Sequence, residues 1–343
     1  MTPRRIGDAP YRRALALWGR AAGSPLEAVR WPSFDAAGVR LLLKRDERLH
    51  PGVSGNKWRK LLPQVAWLLR GGARGFATVG GTHSNHLAAV AALCGELGVP
   101  CRGYVRARAG TDADHAVEDT PTTAAAAARG MDLRPASRER VRAWRESAPG
   151  PELLDGLAWL PEGGTSALAL LGVSACWREI RDQIGRGSPL AGIGVAVGSG
   201  GTALGLARVA GCPVYATSVV ADAGRAGRLA ALTERYARAP LREREYGRPF
   251  ASGEPRLYRT LRAFAELNDG LALDPLYTAK ALLGLERWLE EGAFRRGDTA
   301  VLVHTGGLQG RGAWLARYGY PADASPRLAD GGHGHTGVEV AGE

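Results

Sequence analysis

Lysine is scarce in this chain. Among 45 lysine and arginine residues only four are lysine: Lys44, Lys57, Lys60 and Lys280. Arginine stays protonated, whereas a buried lysine can lose its proton and attack a carbonyl carbon. Amine chemistry on a side chain therefore has few places to reside. Cysteine is also sparse. Cys94, Cys101, Cys176 and Cys212 form no C-x-x-C pair and no zinc-like cluster, which argues against a disulfide framework and a structural metal. The longest nearly apolar stretch, Ala167 to Trp177, is shorter than the roughly 20 residues that span a bilayer. Ala14 to Trp18 is too short for a signal-peptide core. The expectation is a soluble, cytoplasmic protein with no membrane partner. No internal repeat is present.

Charge of one sign is in excess, at a net +11, and invites a nucleic-acid reading. The arginines are scattered, however, and form no long run. The alternation Arg242-Glu243-Arg244-Glu245 reads as a solvated, internally paired face. Arginine- and alanine-rich composition accounts for the excess better than a basic groove does. The Gly-His-Gly-His tail, with His333 and His335, is a poor metal site without further ligands, and no metal is expected.

At 343 residues the chain makes one large or two intimate domains, and its apolar share of 45% is ordinary for a globular protein. Trp58, Leu61, Leu62, Val65, Leu68 and Leu69 recur at three- and four-residue spacing, which predicts a helix closed by Gly71-Gly72. Lys57 then lies in its first turn, with Ser54 or Asn56 as its cap and Lys60 on nearly the same side. Strands are expected over 39–44, 75–79, 100–105, 193–197, 214–220 and 299–303. Helices are expected after Asn85, over 161–184, 203–210, 225–238, 257–267 and 278–290. Residues 107–150 are less legible. This alternation marks parallel α/β architecture.

Gly198-Ser199-Gly200-Gly201-Thr202 lies between a predicted strand and a predicted helix. Bare backbone N–H groups at a positive helix end form an anion site, and phosphate is the natural occupant. A dinucleotide is one alternative, since Gly198-x-Gly200-x-x-Ala203 fits that fingerprint and Asp222 stands beyond the next strand. It leaves Lys57 and the Ser84-Asn85 loop without a role. Pyridoxal phosphate uses them all, with Lys57 as the amine that binds its aldehyde.

The ordered stretches Lys44-Arg45-Asp46-Glu47, His50-Pro51, Ser54 to Leu61, Gly80 to His86, Pro161 to Gly164, Gly198 to Thr202, Asp274 to Lys280 and His304 to Gly307 carry a resemblance. The chain resembles the D-cysteine desulfhydrase / 1-aminocyclopropane-1-carboxylate deaminase family. That family lies within the tryptophan-synthase-β-like, fold type II pyridoxal-phosphate enzymes, and the chain is nearest to a less characterised deaminase-like branch. The resemblance implies a two-domain α/β fold with open twisted sheets. Residues 1–60 and 159–324 would form a large cofactor-binding domain, 61–158 a smaller inserted domain, and 325–343 a disordered tail.

The resemblance further implies that Lys57 holds the cofactor aldehyde and Lys60 helps bind its phosphate, cradled by Gly198, Ser199, Gly200, Gly201 and Thr202. Asn85 would hydrogen-bond the phenolic oxygen, and Thr305 would face the pyridine nitrogen. Ser84, Asn85, His86, Tyr277 and Thr278 would line the substrate, with Lys57, Ser84 and Tyr277 catalytic. The implied reaction is Schiff-base exchange on Lys57, α-proton abstraction and β-elimination from a small amino acid, possibly D-configured, to a 2-oxo acid and ammonia. β-Replacement or cyclopropane ring-opening are alternatives within the class. A dinucleotide- or nucleic-acid-binding protein without lysine chemistry is the alternative outside it. Thr278 stands where the deaminases carry glutamate, which favours elimination over ring-opening. A homodimer is implied.

Overall fold

A computed structural model describes residues 9–19, 23–107, 116–185, 189–220, 224–249 and 251–321. His115, Asp222, His333, His335 and the tail from residue 325 lie outside them, as does much of the 112–119 loop. The strands are β1 Leu26–Ala28, β2 Arg40–Lys44, β3 Phe76–Gly80, β4 Cys101–Arg106, β5 Met131–Ala136, β6 Ala158–Trp159, β7 Leu190–Val197, β8 Val214–Ser218, β9 Leu241–Glu245 and β10 Thr299–Val303. A six-stranded sheet runs β1-β2-β10-β7-β8-β9 and a four-stranded sheet runs β5-β4-β3-β6. Every neighbouring pair is parallel except β1–β2. The fold is α/β with two open sheets, as expected.

The helices in chain order are α1 Ala9–Gly19, α2 Pro32–Ala37, α3 Asn56–Arg70, α4 Asn85–Leu97, α5 Pro121–Ala128, α6 Arg138–Ala143, α7 Pro151–Leu154, α8 Ala167–Ile184, α9 Gly201–Ala207, α10 Arg225–Tyr236, α11 Pro255–Leu267, α12 Thr278–Glu290 and α13 Arg311–Arg317. Parallel strands buried on both faces read as continuous apolar runs. In the larger sheet Leu41, Leu43, Ala300 and Leu302 face a core shared with Leu282 and Leu285 of α12. Ile193, Val195, Val197, Val301 and Val303 face the opposite core, shared with Leu170 and Val173 of α8. The smaller sheet buries Phe76 against Leu61, Val90 and Leu93 of α3 and α4.

Two expectations needed correction. The N-cap of α3 is Gly55 rather than Ser54 or Asn56, and no side chain caps that end. Gly55 sits at φ 65°, where a Cβ would lie 1.9 Å from the Thr305 carbonyl oxygen. Only glycine takes that conformation at that distance without strain. Asn56 N–H then donates to the same carbonyl at 3.1 Å, so the start of α3 is docked on the end of β10. The second correction is partial: the stretch Arg242 to Glu245 is largely exposed, as expected, but Arg244 pairs outside it. The stretch is edge strand β9, and Arg244 donates to Glu291 at 2.6 Å and covers Trp288. Charged residues are a common protection for an exposed edge.

The helix carrying Lys57 and Lys60 is wedged against α8. Pro63 inside α3 has no N–H for the Arg59 carbonyl. At that carbonyl α8 packs tightly on α3: a Cβ on Gly172 would sit 1.9 Å from the Arg59 oxygen. The sequence pattern thus predicted the helix, while the pairing of Pro63 with Gly172 belongs to its packing.

Candidate active site

Lys57 is half-buried in the first turn of α3. Its Nζ donates to Asn56 Oδ1 at 3.1 Å, and Asn56 Nδ2 donates to Thr202 Oγ1 at 2.8 Å. That chain ties the amine to the glycine loop after β7. Burial lowers the Lys57 pKa to about 8, because removing water penalises the ammonium more than the amine.

Lys60 lies one turn on and is 1% exposed. Its Nζ donates to Thr165 Oγ1 at 2.9 Å and to Ser199 Oγ at 3.2 Å. The two hydroxyls are themselves 2.8 Å apart. Burial, then the charge of Lys57, pushes the Lys60 pKa well down. Among the described residues this enclosed amine is met by hydroxyls and by no carboxylate, an arrangement that an incoming anion would complete. A Cβ on Gly201 would stand 2.6 Å from Thr165 Oγ1 and 3.0 Å from Lys60 Nζ. Gly201 therefore keeps open the space that these donors face.

The residues present fit pyridoxal phosphate. A nucleophilic amine and a phosphate-binding amine occupy successive turns of one helix, with a glycine loop and two hydroxyls opposite. Replacing Gly201 by valine is expected to weaken pyridoxal-phosphate affinity at least tenfold, read by fluorescence titration, and to cost about 1–3 kcal/mol of stability through overpacking. Unaltered affinity would count against the cradle.

The other expected residues gather from three further elements. Ser84 caps α4, accepting from the N–H groups of His86 and Leu87 at 3.2 and 3.3 Å. Asn85 Oδ1 accepts from Gln309 Nε2 at 2.7 Å, which orients the amide and leaves its NH₂ as the donor. That NH₂ lies 3.1 Å from the Cβ position of Gly307, next to Thr305 and Gly306 at the end of β10. Tyr277 enters α12 and reaches the glycine loop, its ring carbon 3.4 Å from the Cβ position of Gly198. Burial, with Asp274 and Glu162 nearby, raises its phenol pKa above the ordinary value.

His86 and Thr278 are enclosed rather than open to the cleft. His86 Nε2 and Thr78 Oγ1 are 2.8 Å apart, and Thr78 donates to the Leu160 carbonyl at 2.8 Å. With its single proton so engaged, Thr78 accepts from the ring. Burial, then the charges of Lys57 and Lys60, holds the His86 pKa well below the ordinary value. Thr278 Oγ1 faces His304 Nδ1 at 3.4 Å. His304 also accepts from Gly306 N–H at 3.2 Å and donates to the Ala272 carbonyl at 3.0 Å, so it shapes the β10 turn from behind.

Sequence reasoning missed Thr165, Gln309, Asn56 and Asp274. Asp274 is fully buried and accepts from the N–H groups of Leu276, Tyr277 and Thr278 at 3.0, 2.7 and 2.8 Å, fixing the entry into α12. A threonine or an aspartate just before a helix is a familiar capping signal. Nothing in that signal says which distant amine or loop it will meet.

The profile of the family described as Pyridoxal-phosphate dependent enzyme matches residues 18–306. D-cysteine desulfhydrase of Klebsiella pneumoniae (strain 342) is 29% identical over 318 residues, covering 83% of this chain and 92% of the relative. D-cysteine desulfhydrase of Yersinia enterocolitica serotype O:8 is 30% identical over 329 residues, covering 85% and 93%. The solved structure of an ACC deaminase homologue superimposes with a TM-score of 0.68 at 22% identity, covering 89% of this chain and 98% of that one. No helix among the described residues is long and apolar enough to cross a membrane.

Proposed function

This chain belongs to the pyridoxal-phosphate-dependent enzymes, and from that premise we propose a lyase that deaminates small amino acids bearing a β-leaving group. The observation that carries the reading is the pair Lys57 and Lys60 on successive turns of α3, one amine made nucleophilic by burial and the other facing hydroxyls alone. The similarity to D-cysteine desulfhydrases supports a sulfur or comparable leaving group. A dinucleotide or nucleic-acid role without lysine chemistry is thereby set aside.

Lys57 would hold the cofactor aldehyde, and Lys60, Thr165, Ser199, Thr202 and the backbone of 198–201 its phosphate. Asn85 would donate to the phenolic oxygen and Thr305 would face the pyridine nitrogen. When bound, the cofactor serves as an electron sink for charge developing at the substrate α-carbon. Lys57 would take the α-proton, for which its lowered pKa suits it near neutrality. The Ser84 hydroxyl, whose oxygen already accepts the His86 and Leu87 N–H groups, donates its proton to the substrate carboxylate at the positive end of α4, and Tyr277 closes the opposite side. The Cα–H bond gives its proton to Lys57, the Cβ bond breaks with its electron pair on the leaving group, and water converts the released enamine into a 2-oxo acid and ammonia. Thr278, buried against His304, offers no carboxylate to deepen the sink, which favours elimination over ring-opening.

The reading includes a cytoplasmic homodimer, and a small domain over 61–158 facing a large domain across the cleft. Its test is a screen of D- and L-3-substituted alanines with the yellow holoenzyme. Equimolar 2-oxo acid and ammonia are expected from one enantiomeric series. A product that retains its nitrogen would replace elimination by β-replacement, and no product from any of them would sink the proposal.

A further inference from the structure

Residues 50–55 lead into α3 without helix or strand, yet one side chain ties them to both neighbouring helices. His50 Nδ1 accepts from the N–H groups of Gly52 and Val53 at 3.2 and 3.0 Å. With Nδ1 an acceptor, the ring proton stays on Nε2, which faces Glu96 Oε1 of α4 at 3.1 Å. The imidazole also lies flat on the Trp58 indole, with centroids 4.5 Å apart and planes within 6°. Trp58 follows Lys57 directly and is buried in the core that α3 shares with α4. A Cβ on Gly52 would stand 3.3 Å from the Ala92 Cβ, so the loop itself rests on α4.

One ring thus joins the chain before Lys57, the turn that carries Lys57, and the helix that opens with Ser84 and Asn85. The lysine comes from α3, whose start has no side-chain cap. The serine hydroxyl and the asparagine amide come from α4. Gly55 docks one side of the α3 start on Thr305, and His50 fixes the chain before it against α4. Glu96 is 35% exposed, and such a pair contributes little to stability. Its effect is directional. It holds the proton on Nε2, which leaves Nδ1 to hold the loop. His50 belongs to none of the groups that hold cofactor or substrate in the reading above.

We propose that His50 is a positioning residue for Lys57, setting how the first turn of α3 stands relative to α4. The proposal rests on the reading of Lys57 as the amine that holds the cofactor aldehyde, and deepens it. His50 touches no reacting atom and acts through Trp58 and the 52–53 backbone. Without the acceptor at Nδ1, two loop N–H groups lose their partner, and the loop is free to lift from α4. Lys57 would then approach the aldehyde from a displaced turn, and a shift of about 1 Å costs on the order of 10²-fold in rate. Stacking alone cannot supply this control, since any flat ring would cover the indole without holding the loop.

The test compares the full chain with His50→Phe, His50→Asn and Glu96→Ala. His50→Phe keeps a ring on Trp58 but neither accepts nor donates. His50→Asn places an amide oxygen near the Nδ1 position and restores the acceptor. Glu96→Ala removes the partner of Nε2. Capture of pyridoxal phosphate by cofactor-free protein is followed by absorbance and by borohydride fixation to Lys57. Turnover of 3-chloroalanine by the loaded enzyme adds kcat and KM. His50→Phe is expected to slow capture and lower kcat by roughly tenfold or more, with KM within about threefold of wild type. His50→Asn should regain most of the capture rate, and Glu96→Ala should fall between wild type and His50→Phe. Urea unfolding supplies the contrast. A merely structural histidine would lower the midpoint in His50→Phe and leave the capture rate unmoved, which overturns the positioning role. His50→Asn as slow as His50→Phe overturns it too. Should His50→Phe fail to fold, Glu96→Ala decides: slower capture supports the role, and capture at the wild-type rate overturns it. Wild-type protein that captures no pyridoxal phosphate overturns instead the reading of Lys57 beneath it.

Discussion

Replacing Lys57 by alanine is expected to reduce 2-oxo acid release by roughly 10³-fold or more, because one residue supplies both the covalent anchor and the base. Borohydride should no longer fix pyridoxal phosphate to the protein, while the loss of one half-buried side chain leaves the unfolding midpoint nearly unchanged. The pH dependence separates this lysine from an ordinary one. Burial lowers its pKa from 10.5 to about 8, and only the neutral amine attacks an aldehyde. Aldehyde capture by cofactor-free protein should therefore rise with pH and level off above about 8. Mass spectrometry of the borohydride-fixed peptide reads that profile. A plateau delayed beyond pH 10, or label on Lys60 instead, would reject Lys57 as the desolvated nucleophile.

The largest effect on stability is expected from a cluster that sequence reasoning did not assemble. Arg59 donates to both oxygens of Asp46 at 2.7 Å and to both oxygens of Glu179 at 2.7 and 2.8 Å. Lys44 meets Glu179 at 2.8 Å, and Ser24 donates to Asp46 at 2.7 Å. Asp46, Arg59 and Lys44 are almost wholly enclosed. Asp46→Ala removes one partner and leaves Arg59 under-compensated, a change that costs about 3–5 kcal/mol in buried pairs. Urea unfolding should show the fall as a lower midpoint at constant slope.

Glu179 gives the same cluster a pH signature. Burial alone would raise its pKa, but Arg59 and then Lys44 outweigh that and bring it from 4.5 to about 2. A depressed carboxyl contributes stability above its unfolded value. That contribution is lost as pH falls from about 4.5 towards 2. Glu179→Gln should be less stable at neutral pH and show a shallower decline across that window. An acid limb identical to wild type would assign acid sensitivity elsewhere.

Some elements were legible because a single stretch carries its own signal. The apolar spacing of α3 and the ranges of α12 and β10 could be read directly, since each is buried along a face or on both sides. β1, β5, β6 and β9 were not predicted. β5 carries Asp132, Arg134 and Pro135 and lies at the edge of its sheet, where proline and charge are tolerated because one side lacks a partner. β9 alternates Arg and Glu for the same reason. β6 is two residues long, too short for any period. In the site, the glycine loop and the Ser84-Asn85 turn were visible as motifs, whereas Thr165 and Gln309 matter only through the amine and amide they meet.

Lysine's scarcity narrowed amine chemistry to four positions but could not choose among them, since burial and partners belong to the folded chain. Lys44 is taken up by Glu179 and the Ser24 carbonyl, and Lys280 lies over the Tyr246 ring. Local sequence alone set the residue type, the helix, and the spacing that places Lys57 and Lys60 a turn apart. Docking of Gly55 on Thr305, and of Gly172 on the Arg59 carbonyl, set where that turn lies. Proximity across the chain decided that Lys57 approaches Thr202 through Asn56 and that Lys60 meets two hydroxyls. An amine's reactivity follows from the water it loses and the charges it meets, and both are properties of packing.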